Sequence, residues 1–329
     1  MTVATGRIRA EVRSGLGDLV LDRSDALNAL DPPMVWAITE TLREWAGDDS
    51  VHTVVVRGAT SRAFCAGGDI RLVREQVLGG RTADAMTFFR EEYALDAIIA
   101  EYPKPYVALL DGVAMGGGLG LSVHGAHRVV TEHSVLAMPE TMIGFVPDVG
   151  ASHFLPRLAP GWGRYLGLTG LRTGATGTLH SGLATHFVPR AGLEELTDAL
   201  ARDGVAALAD ASRPLPPGPD DGPDPAVLRV FAGTDLPRLE EALEALPGPH
   251  AARALAALRA VSPSSVSATD ELLRHGAGSE LAACLARELE VVGEVIGRPD
   301  FDEGVRCALV DRGETPTWNP ARPLSGDHR

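Results

Sequence analysis

The sequence predicts an α/β fold on two observations. Between residues 19 and 188, short runs rich in β-branched side chains alternate with stretches of helical periodicity. Each run ends at residues that favour turns, as at 18–21 and 51–58, and a helical stretch lies between these two at 31–47. Strands that alternate with helices in this way are typical of α/β proteins.

The first helix is predicted at 31–47. Asp31 is suited to cap it, and Pro32 and Pro33 suit its first turn, where no backbone N–H partner is needed. Apolar residues recur at helical spacing and predict the buried face: Val35, Ile38, Leu42 and Trp45.

Two apolar strands run into glycine-rich segments, which we expect to be the informative places in the chain. The strand at 51–58 leads into RAFCAGGDIRLV at 62–73, where Gly67 and Gly68 precede a helix that Asp69 can open. Backbone N–H groups at such a helix start suit a developing negative charge on a carbonyl oxygen. The alternative is a simple glycine turn with an Asp69 cap.

The second glycine-rich segment, DGVAMGGGLGLSVHGAH at 111–127, follows the strand predicted at 104–112. No Gly-Lys-Ser/Thr follows the glycines, and the register of a dinucleotide-binding loop is missing, so phosphate binding is disfavoured. Ser122 does not sit in a nucleophile elbow, because its flanking glycines are spaced one residue too far apart. We predict that Ser122 is an ordinary helix residue.

Two carboxylates fall within an otherwise apolar segment at 135–158. Glu140 and Asp148 are separated by Gly144 and Pro147, which exclude one continuous helix. Apolar surroundings and mutual repulsion can separate the proton affinities of two such acids and divide acid, base or nucleophile roles between them. The alternative is structural, with Glu140 capping a turn and Asp148 starting a helix.

Composition excludes several other classes of protein. The chain has 44 acidic and 30 basic residues and a net charge of −14, the wrong sign for neutralising nucleic-acid phosphates. Its single lysine, Lys104, lies between two prolines, which disfavours lysine-nucleophile chemistry. The 3 cysteines show no CxxC spacing, and the 10 histidines include no HExxH. We therefore expect neither a disulfide framework nor a metal site.

The amino-terminal sequence shows no basic segment followed by an apolar run, and no stretch approaches about 18 uninterrupted apolar residues. The sequence therefore predicts a complete, cytoplasmic protein without a membrane span. A stretch dense in proline, glycine and aspartate at 212–225 predicts an exposed connector. Alanine- and leucine-rich helices are expected after it, at 236–246, 251–261 and 279–296.

Four motifs together resemble the crotonase (enoyl-CoA hydratase/isomerase) superfamily. They are FCAGGDIR at 64–71, MGGGLGLSVHG at 115–125, MPET at 138–141 and FVPDVGASHFLPRL at 145–158. The resemblance also covers LNAL at 27–30, LATHFVP at 183–189, SPSS near 262, and the segment from about 298 to 320. Because these motifs are long and ordered along the chain, chance agreement is far less plausible than for a single glycine pattern.

The resemblance implies a crotonase-like spiral of ββα units over about residues 1–190. It also implies a mainly helical region at 191–329 that covers the active site and can mediate contacts between identical subunits. The substrate implied is an acyl-CoA thioester, so CoA belongs to the substrate and no separate cofactor or metal is expected. Nucleic acid and membrane are not expected partners, whereas a homo-oligomer is compatible with the family.

Site residues carry over by position. The backbone N–H groups of Gly68 and Gly117 are implied to form an oxyanion hole for the thioester carbonyl. Hydratases of the superfamily use two glutamates, and the first of those positions is occupied here by Gly120. A hydrolase branch instead pairs the glutamate of MPE with the aspartate of PDVG, here Glu140 and Asp148.

The resemblance therefore favours hydrolysis of a 3-hydroxyacyl-CoA thioester, with 3-hydroxyisobutyryl-CoA as the first candidate substrate. Glu140 acts in this interpretation as nucleophile or as general base, Asp148 binds the 3-hydroxyl, and Glu92 lies near the substrate. The alternatives are an enoyl-CoA isomerase working with one glutamate, an enoyl-CoA hydratase, and a catalytically silent acyl-CoA-binding protein.

Overall fold

The computed structural model describes residues 3–4, 7–215, 222–321 and 324. These residues form two compact units, each assembled from three separate segments. The first unit takes its described residues from Met1–Gly68, Glu91–Leu136 and Thr173–Asp221. The second takes them from Asp69–Arg90, Ala137–Arg172 and Gly222–Arg329.

The strands are β1 (Val3–Ala4), β2 (Ile8–Arg13), β3 (Leu16–Leu21), β4 (Thr53–Gly58), β5 (Ala63–Cys65), β6 (Tyr106–Leu110), β7 (Val113–Met115), β8 (His127–Val130), β9 (Val135–Ala137) and β10 (His186–Phe187). The helices are α1 (Pro32–Gly47), α2 (Ile70–Leu78), α3 (Thr82–Ala100), α4 (Gly117–Val123), α5 (Ala151–Phe154), α6 (Trp162–Thr169), α7 (Ala175–Ser181), α8 (Leu193–Asp203), α9 (Ala207–Ala211), α10 (Pro225–Gly233), α11 (Leu236–Glu244), α12 (Pro249–Ala260), α13 (Pro263–Gly276), α14 (Leu281–Val295) and α15 (Pro299–Val305).

A seven-stranded sheet has the order β1-β2-β3-β4-β6-β8-β10, and a smaller sheet has the order β5-β7-β9. Strands β1 to β3 pair antiparallel, whereas β3, β4, β6, β8 and β10 pair parallel. Each parallel strand β4, β6 and β8 is followed by a short strand of the smaller sheet and then by helical structure. This repeat confirms the predicted α/β class and the spiral of ββα units.

Strands β4 and β6 lie in the middle of the larger sheet, and their side chains are mainly apolar on both faces. Val54, Val55 and Val56 of β4 are completely buried. On one face of the sheet, residues of β4 and β6 form a buried apolar cluster with Leu196 and Leu200 of α8. Burial of this continuous apolar surface is the main source of stability for the first unit.

The first predicted helix is confirmed with its cap. The Asp31 carboxylate accepts a hydrogen bond from the backbone N–H of Met34 at 3.0 Å, and the predicted apolar face of α1 is buried. The helices after the connector begin and end close to the expected residues. Six residues of the predicted connector, 216–221, lie outside the described residues. The proposed division of the chain near residue 190 stays a prediction.

The LNAL motif at 27–30 is a buried anchor for β5. Leu27 and Asn28 both adopt left-handed backbone angles, with φ of 52° and 58°. The side chain of Asn28 donates to the carbonyls of Ala63 and Phe64 at 3.1 and 2.9 Å and accepts from the backbone N–H of Arg23 at 2.9 Å. Asn tolerates the left-handed region better than most residues and supplies both donors and acceptor, which explains the motif.

Replacing Asn28 with Ala is expected to destabilise the protein by about 2 to 4 kcal/mol, because two buried carbonyls lose a donor and a non-glycine residue stays left-handed. Urea unfolding followed by circular dichroism measures the effect. A Thr60→Ala variant in the exposed turn before β5 serves as the control and is expected to change stability by less than about 0.5 kcal/mol. Equal stability of Asn28→Ala and the unchanged protein would contradict the anchoring role.

Candidate active site

The two glycine-rich segments pack directly against each other in the first unit. A Cβ atom added to Gly118 would lie 2.2 Å from the carbonyl oxygen of Cys65, and one added to Gly117 would lie 3.2 Å from the backbone nitrogen of Gly68. Gly67 has φ of +105°, and its carbonyl accepts from Leu30 at 2.8 Å. Only glycines allow the two backbones to approach this closely.

The close packing brings the predicted oxyanion-hole residues Gly68 and Gly117 together. Among the residues that the structure describes, neither of their N–H groups donates to a backbone carbonyl. Gly117 is the first residue of α4, where an N–H has no partner within the helix. Two neighbouring N–H donors of this kind can stabilise one anionic oxygen.

Glu92 lies against Gly117, and its expected place near the substrate stays a prediction. It is on α3, its side chain is 2% exposed, and its Oε1 atom is 2.2 Å from the position that a Cβ of Gly117 would take. Any larger residue at position 117 would therefore collide with the carboxyl group. Cys65, on the adjoining strand β5, is completely buried, and its burial raises the pKa of the thiol to about 12. The thiol is therefore a packing group rather than a nucleophile.

Glu140 lies in the second unit, at the start of a short 3₁₀ turn, Glu140–Ile143. Its side chain is 6% exposed. The turn ends at Gly144, which has φ of +67° and whose added Cβ would lie 2.2 Å from the carbonyl oxygen of Asp300. The next residue, Phe145, donates its N–H to the carbonyl of Glu140 at 3.0 Å. The segment has an aromatic contact, since Phe145 stacks on Phe89 at 5.6 Å between ring centroids.

The SPSS motif near 262 holds this turn. The backbone N–H of Ser262 donates to the carbonyl of Thr141 at 3.1 Å, and the Ser262 hydroxyl donates to Asp300 at 2.6 Å. Ser262 also caps α13 by accepting from the N–H of Ser265. The residue after Glu140 is therefore fixed by a buried polar network, which gives the motif a physical role.

Asp148 lies in the same unit as Glu140 and is 4% exposed. Its carbonyl accepts from the N–H of Ala151 at 2.9 Å, and the two residues after it, Val149 and Gly150, have φ of +53° and +81°. A β-branched residue in the left-handed region is a genuine outlier, and such strain concentrates at functional sites. The turn that carries Asp148 is therefore held in place by its surroundings.

Glu288 is a site residue that sequence reasoning missed. It lies on α14, is completely buried, and accepts three hydrogen bonds from the segment after Asp148. Burial raises the pKa of Glu288 to about 8, and the negative charge of Asp148 also raises this pKa. The three hydrogen-bond donors lower it, but their effect is smaller than that of burial. The sequence did carry a signal, because residue 288 falls on the apolar face of α14 with Cys284, Leu285 and Val292.

Within the described part of the chain, Ser122, the possible metal ligands and the apolar helices suggest no further kind of site. Ser122 is buried within α4, where its hydroxyl bonds to the carbonyls of Gly118 and Leu119, so it is a helix residue as predicted. Among the described residues no cluster of His, Cys, Asp or Glu has the makings of a metal site. Over the same residues, no helix is sufficiently long and apolar to cross a membrane.

The family follows from the sequence match. The model of the enoyl-CoA hydratase/isomerase family matches residues 16–326, nearly the whole chain. The chain belongs to this family. The expected resemblance is thereby confirmed for residues 16–326, including the helices just after the connector that the motifs did not cover.

Two relatives and one solved structure illustrate the similarity. The 3-hydroxyisobutyryl-CoA hydrolase of Gallus gallus is 36% identical and covers 97% of this chain and 86% of its own. The same enzyme of Xenopus laevis is 38% identical, with coverages of 92% and 82%. A crystal structure described as a carnitinyl-CoA dehydratase from Mycobacterium thermoresistibile has a TM-score of 0.90 and 36% identity, covering 96% of this chain and 92% of its own.

One sequence-based expectation is corrected by these relatives. Both hydrolases are named as mitochondrial enzymes, so the expectation of a cytoplasmic location is wrong. The expectation depended on an amino-terminal sequence without a basic segment followed by an apolar run, a pattern typical of secretory signals, and on cysteines without disulfide spacing. Cysteines 65, 284 and 307 are indeed free and buried, but free thiols indicate only a reducing compartment. Neither feature separates the cytoplasm from an organelle.

Proposed function

We propose that this member of the family hydrolyses the thioester of 3-hydroxyisobutyryl-CoA to 3-hydroxyisobutyrate and CoA. The observation that carries the proposal is the pair of buried carboxylates, Glu140 and Asp148, on one apolar segment of the second unit. The names of the relatives from Gallus gallus and Xenopus laevis support the same activity. Since 3-hydroxyisobutyryl-CoA is an intermediate of valine breakdown, we propose that the reaction is a step of valine breakdown.

The chemistry proposed for Glu140 is nucleophilic. Its carboxylate attacks the thioester carbonyl, and the resulting oxyanion accepts hydrogen bonds from the N–H groups of Gly68 and Gly117. Collapse breaks the carbon–sulfur bond, the CoA thiolate leaves and takes up a proton, and a mixed anhydride with Glu140 remains. Water then cleaves the anhydride, which releases the hydroxy acid and regenerates the carboxylate. One oxyanion donor is typically worth roughly 3 to 4 kcal/mol of the barrier.

A general-base role for Glu140 uses the same groups. The carboxylate then takes a proton from water, and the water oxygen attacks the thioester in a single step. Incorporation of ¹⁸O into Glu140 during hydrolysis in H₂¹⁸O under single-turnover conditions identifies the anhydride mechanism. The anhydride mechanism predicts ¹⁸O in the Glu140 carboxyl group when water attacks that side of the anhydride, whereas general-base catalysis leaves Glu140 unlabelled. Neither mechanism uses a metal or a redox cofactor.

Asp148 is proposed to bind the 3-hydroxyl of the substrate, which acts as the hydrogen-bond donor. A buried carboxylate built for a hydroxyl discriminates against an acyl group without one, because the acid is then left without that partner. Glu92, beside Gly117, is proposed to contact the substrate near the carbonyl.

Replacing Asp148 with Asn is expected to lower selectivity for the hydroxylated substrate. The amide oxygen still accepts a hydrogen bond, but it lacks the charge, so we expect the ratio of kcat/KM for 3-hydroxyisobutyryl-CoA to that for isobutyryl-CoA to fall about 10- to 100-fold. Release of free thiol measures both rates. An unchanged ratio would exclude Asp148 as the group that recognises the hydroxyl.

Hydration is the second candidate, since the Mycobacterium thermoresistibile structure is described as a dehydratase. Gly120 argues against it, because the position implied to supply one of the two glutamates of a hydratase has no side chain and is buried within α4. With crotonyl-CoA we expect no loss of the enoyl-thioester absorbance, while 3-hydroxyisobutyryl-CoA yields free thiol. Loss of enoyl absorbance without thiol release would establish the hydratase instead. A shifted double bond would indicate an isomerase.

A further inference from the structure

Glu288 is a buried acid of the second unit that accepts three hydrogen bonds from the turn after Asp148. The carboxylate lies on α14 and is completely shielded from solvent. Its Oε2 atom accepts from the N–H of Gly150 at 2.7 Å. Its Oε1 atom accepts from the N–H and from the hydroxyl of Ser152, at 2.7 and 2.6 Å.

The segment that Glu288 holds is strained. Val149 and Gly150 are consecutive left-handed residues, directly after Asp148. A left-handed valine is energetically unfavourable and persists only where the surrounding contacts hold it. The bonds from Gly150 and Ser152 hold the second residue of this pair and the residue two positions after it, so the path of the chain that leaves Asp148 depends on Glu288.

We propose that Glu288 is a positioning residue that holds the turn from Val149 to Ser152 and thereby sets the orientation in which Asp148 meets the 3-hydroxyl of the substrate. This inference rests on the proposed function, because it assigns Glu288 to the selectivity of Asp148. Glu288 itself touches no reacting atom in this account.

The donors that surround Glu288 explain why a carboxyl group is needed. Two of the three are backbone N–H groups, which can only donate. An ionised Glu288 carboxyl group accepts hydrogen bonds from both backbone N–H groups. A protonated carboxyl group also accepts from both of them, and it donates its own proton to the Ser152 hydroxyl. Gln at 288 would accept from one N–H and direct its NH₂ group at the other. The isosteric change therefore disturbs the turn without changing the volume.

The test compares two thioesters in each variant. Partial unfolding lowers the rate for both substrates equally, whereas a misplaced Asp148 lowers only the rate for the hydroxylated one. For Glu288→Gln we expect the ratio of kcat/KM for 3-hydroxyisobutyryl-CoA to that for isobutyryl-CoA to fall at least about tenfold. The main cause is expected to be a higher KM for 3-hydroxyisobutyryl-CoA. Glu288→Gln combined with Asp148→Asn is expected to lower the ratio no further than Asp148→Asn alone.

Two further variants complete the test. Ser152→Ala removes one of the three hydrogen bonds and is expected to lower the ratio about threefold. Asp270→Asn is the matched control, because Asp270 is another buried acid of the same unit but pairs with Arg164 at 2.8 Å. We expect this control to lose thermal stability and to keep the selectivity ratio.

Each outcome decides the proposal. An unchanged ratio in Glu288→Gln, with a ratio that collapses in Asp148→Asn, overturns the positioning role and leaves the proposed function intact. If Asp148→Asn itself keeps the ratio, the recognition assigned to Asp148 fails and the proposal fails with it. Should Glu288→Gln not fold, Ser152→Ala decides, and an unchanged ratio in that variant overturns the proposal.

Discussion

Replacing Glu140 with Gln is expected to reduce kcat for 3-hydroxyisobutyryl-CoA at least about a thousandfold, which corresponds to about 4 kcal/mol of barrier. The amide is neither a competent nucleophile nor a base at neutral pH, so both mechanisms proposed for Glu140 predict the loss. The change removes no volume, and the backbone bonds from Phe145 and around the turn are retained. The fold is therefore expected to survive, and free-thiol release measures the effect.

The matched control is Glu241→Gln on α11, which makes the same chemical change at an exposed position of the same unit. We expect its activity to stay within about twofold of the unchanged protein, since surface substitutions away from special features are usually near neutral. If Glu140→Gln retained more than about a tenth of the activity, both the nucleophile and the general-base interpretation would be excluded.

The second large effect is expected for Gly117→Ala. The added Cβ would lie 2.2 Å from Oε1 of Glu92 and 3.2 Å from the nitrogen of Gly68, so it crowds both oxyanion donors and the adjoining carboxyl group. We expect kcat to fall about a hundredfold or more, with a loss of about 1 to 3 kcal/mol in unfolding free energy. Thiol release and urea unfolding measure the two quantities.

Gly47→Ala is the control for this variant. Gly47 is the last residue of α1, and nothing lies within 4 Å of its added Cβ. Because Ala favours helix more than Gly does, we expect equal or slightly higher stability and unchanged activity. Full activity in a folded Gly117→Ala protein would contradict the assignment of the oxyanion hole to this pair of glycines.

Local sequence patterns predicted the parts of the fold whose signals are local. Asp31 and the apolar spacing after it located α1 with its cap, because both depend on residues within one or two turns. The glycines at 67, 68 and 117 indicated backbone N–H donors at helix starts, and the structure adds that the two segments pack against each other. The two glycine-rich segments follow neighbouring parallel strands and meet at one edge of the sheet. This part of the site can therefore be predicted from the sequence.

The remainder depends on distant partners that a pattern does not record. Ile8–Arg13 was not predicted as a strand, although its alternation fits pairing with β3. The contacts from Asn28 to Phe64 and from Glu288 to Gly150 join residues 36 and 138 positions apart. Glu288 fell on an apolar face, but only the structure shows that its partners are N–H groups of a strained turn. The left-handed Val149 could not be predicted, because nothing local favours it.

Thioester hydrolysis itself is measured as release of free CoA thiol from 3-hydroxyisobutyryl-CoA by the unchanged protein, with crotonyl-CoA as the comparison substrate. Glu140→Gln and Asp148→Asn are assayed in parallel. We expect rapid thiol release from the hydroxyacyl thioester, no reaction of crotonyl-CoA, near-complete loss in Glu140→Gln and a strong decrease in Asp148→Asn. Absence of thiol release from 3-hydroxyisobutyryl-CoA by the folded, unchanged protein would contradict the proposed function.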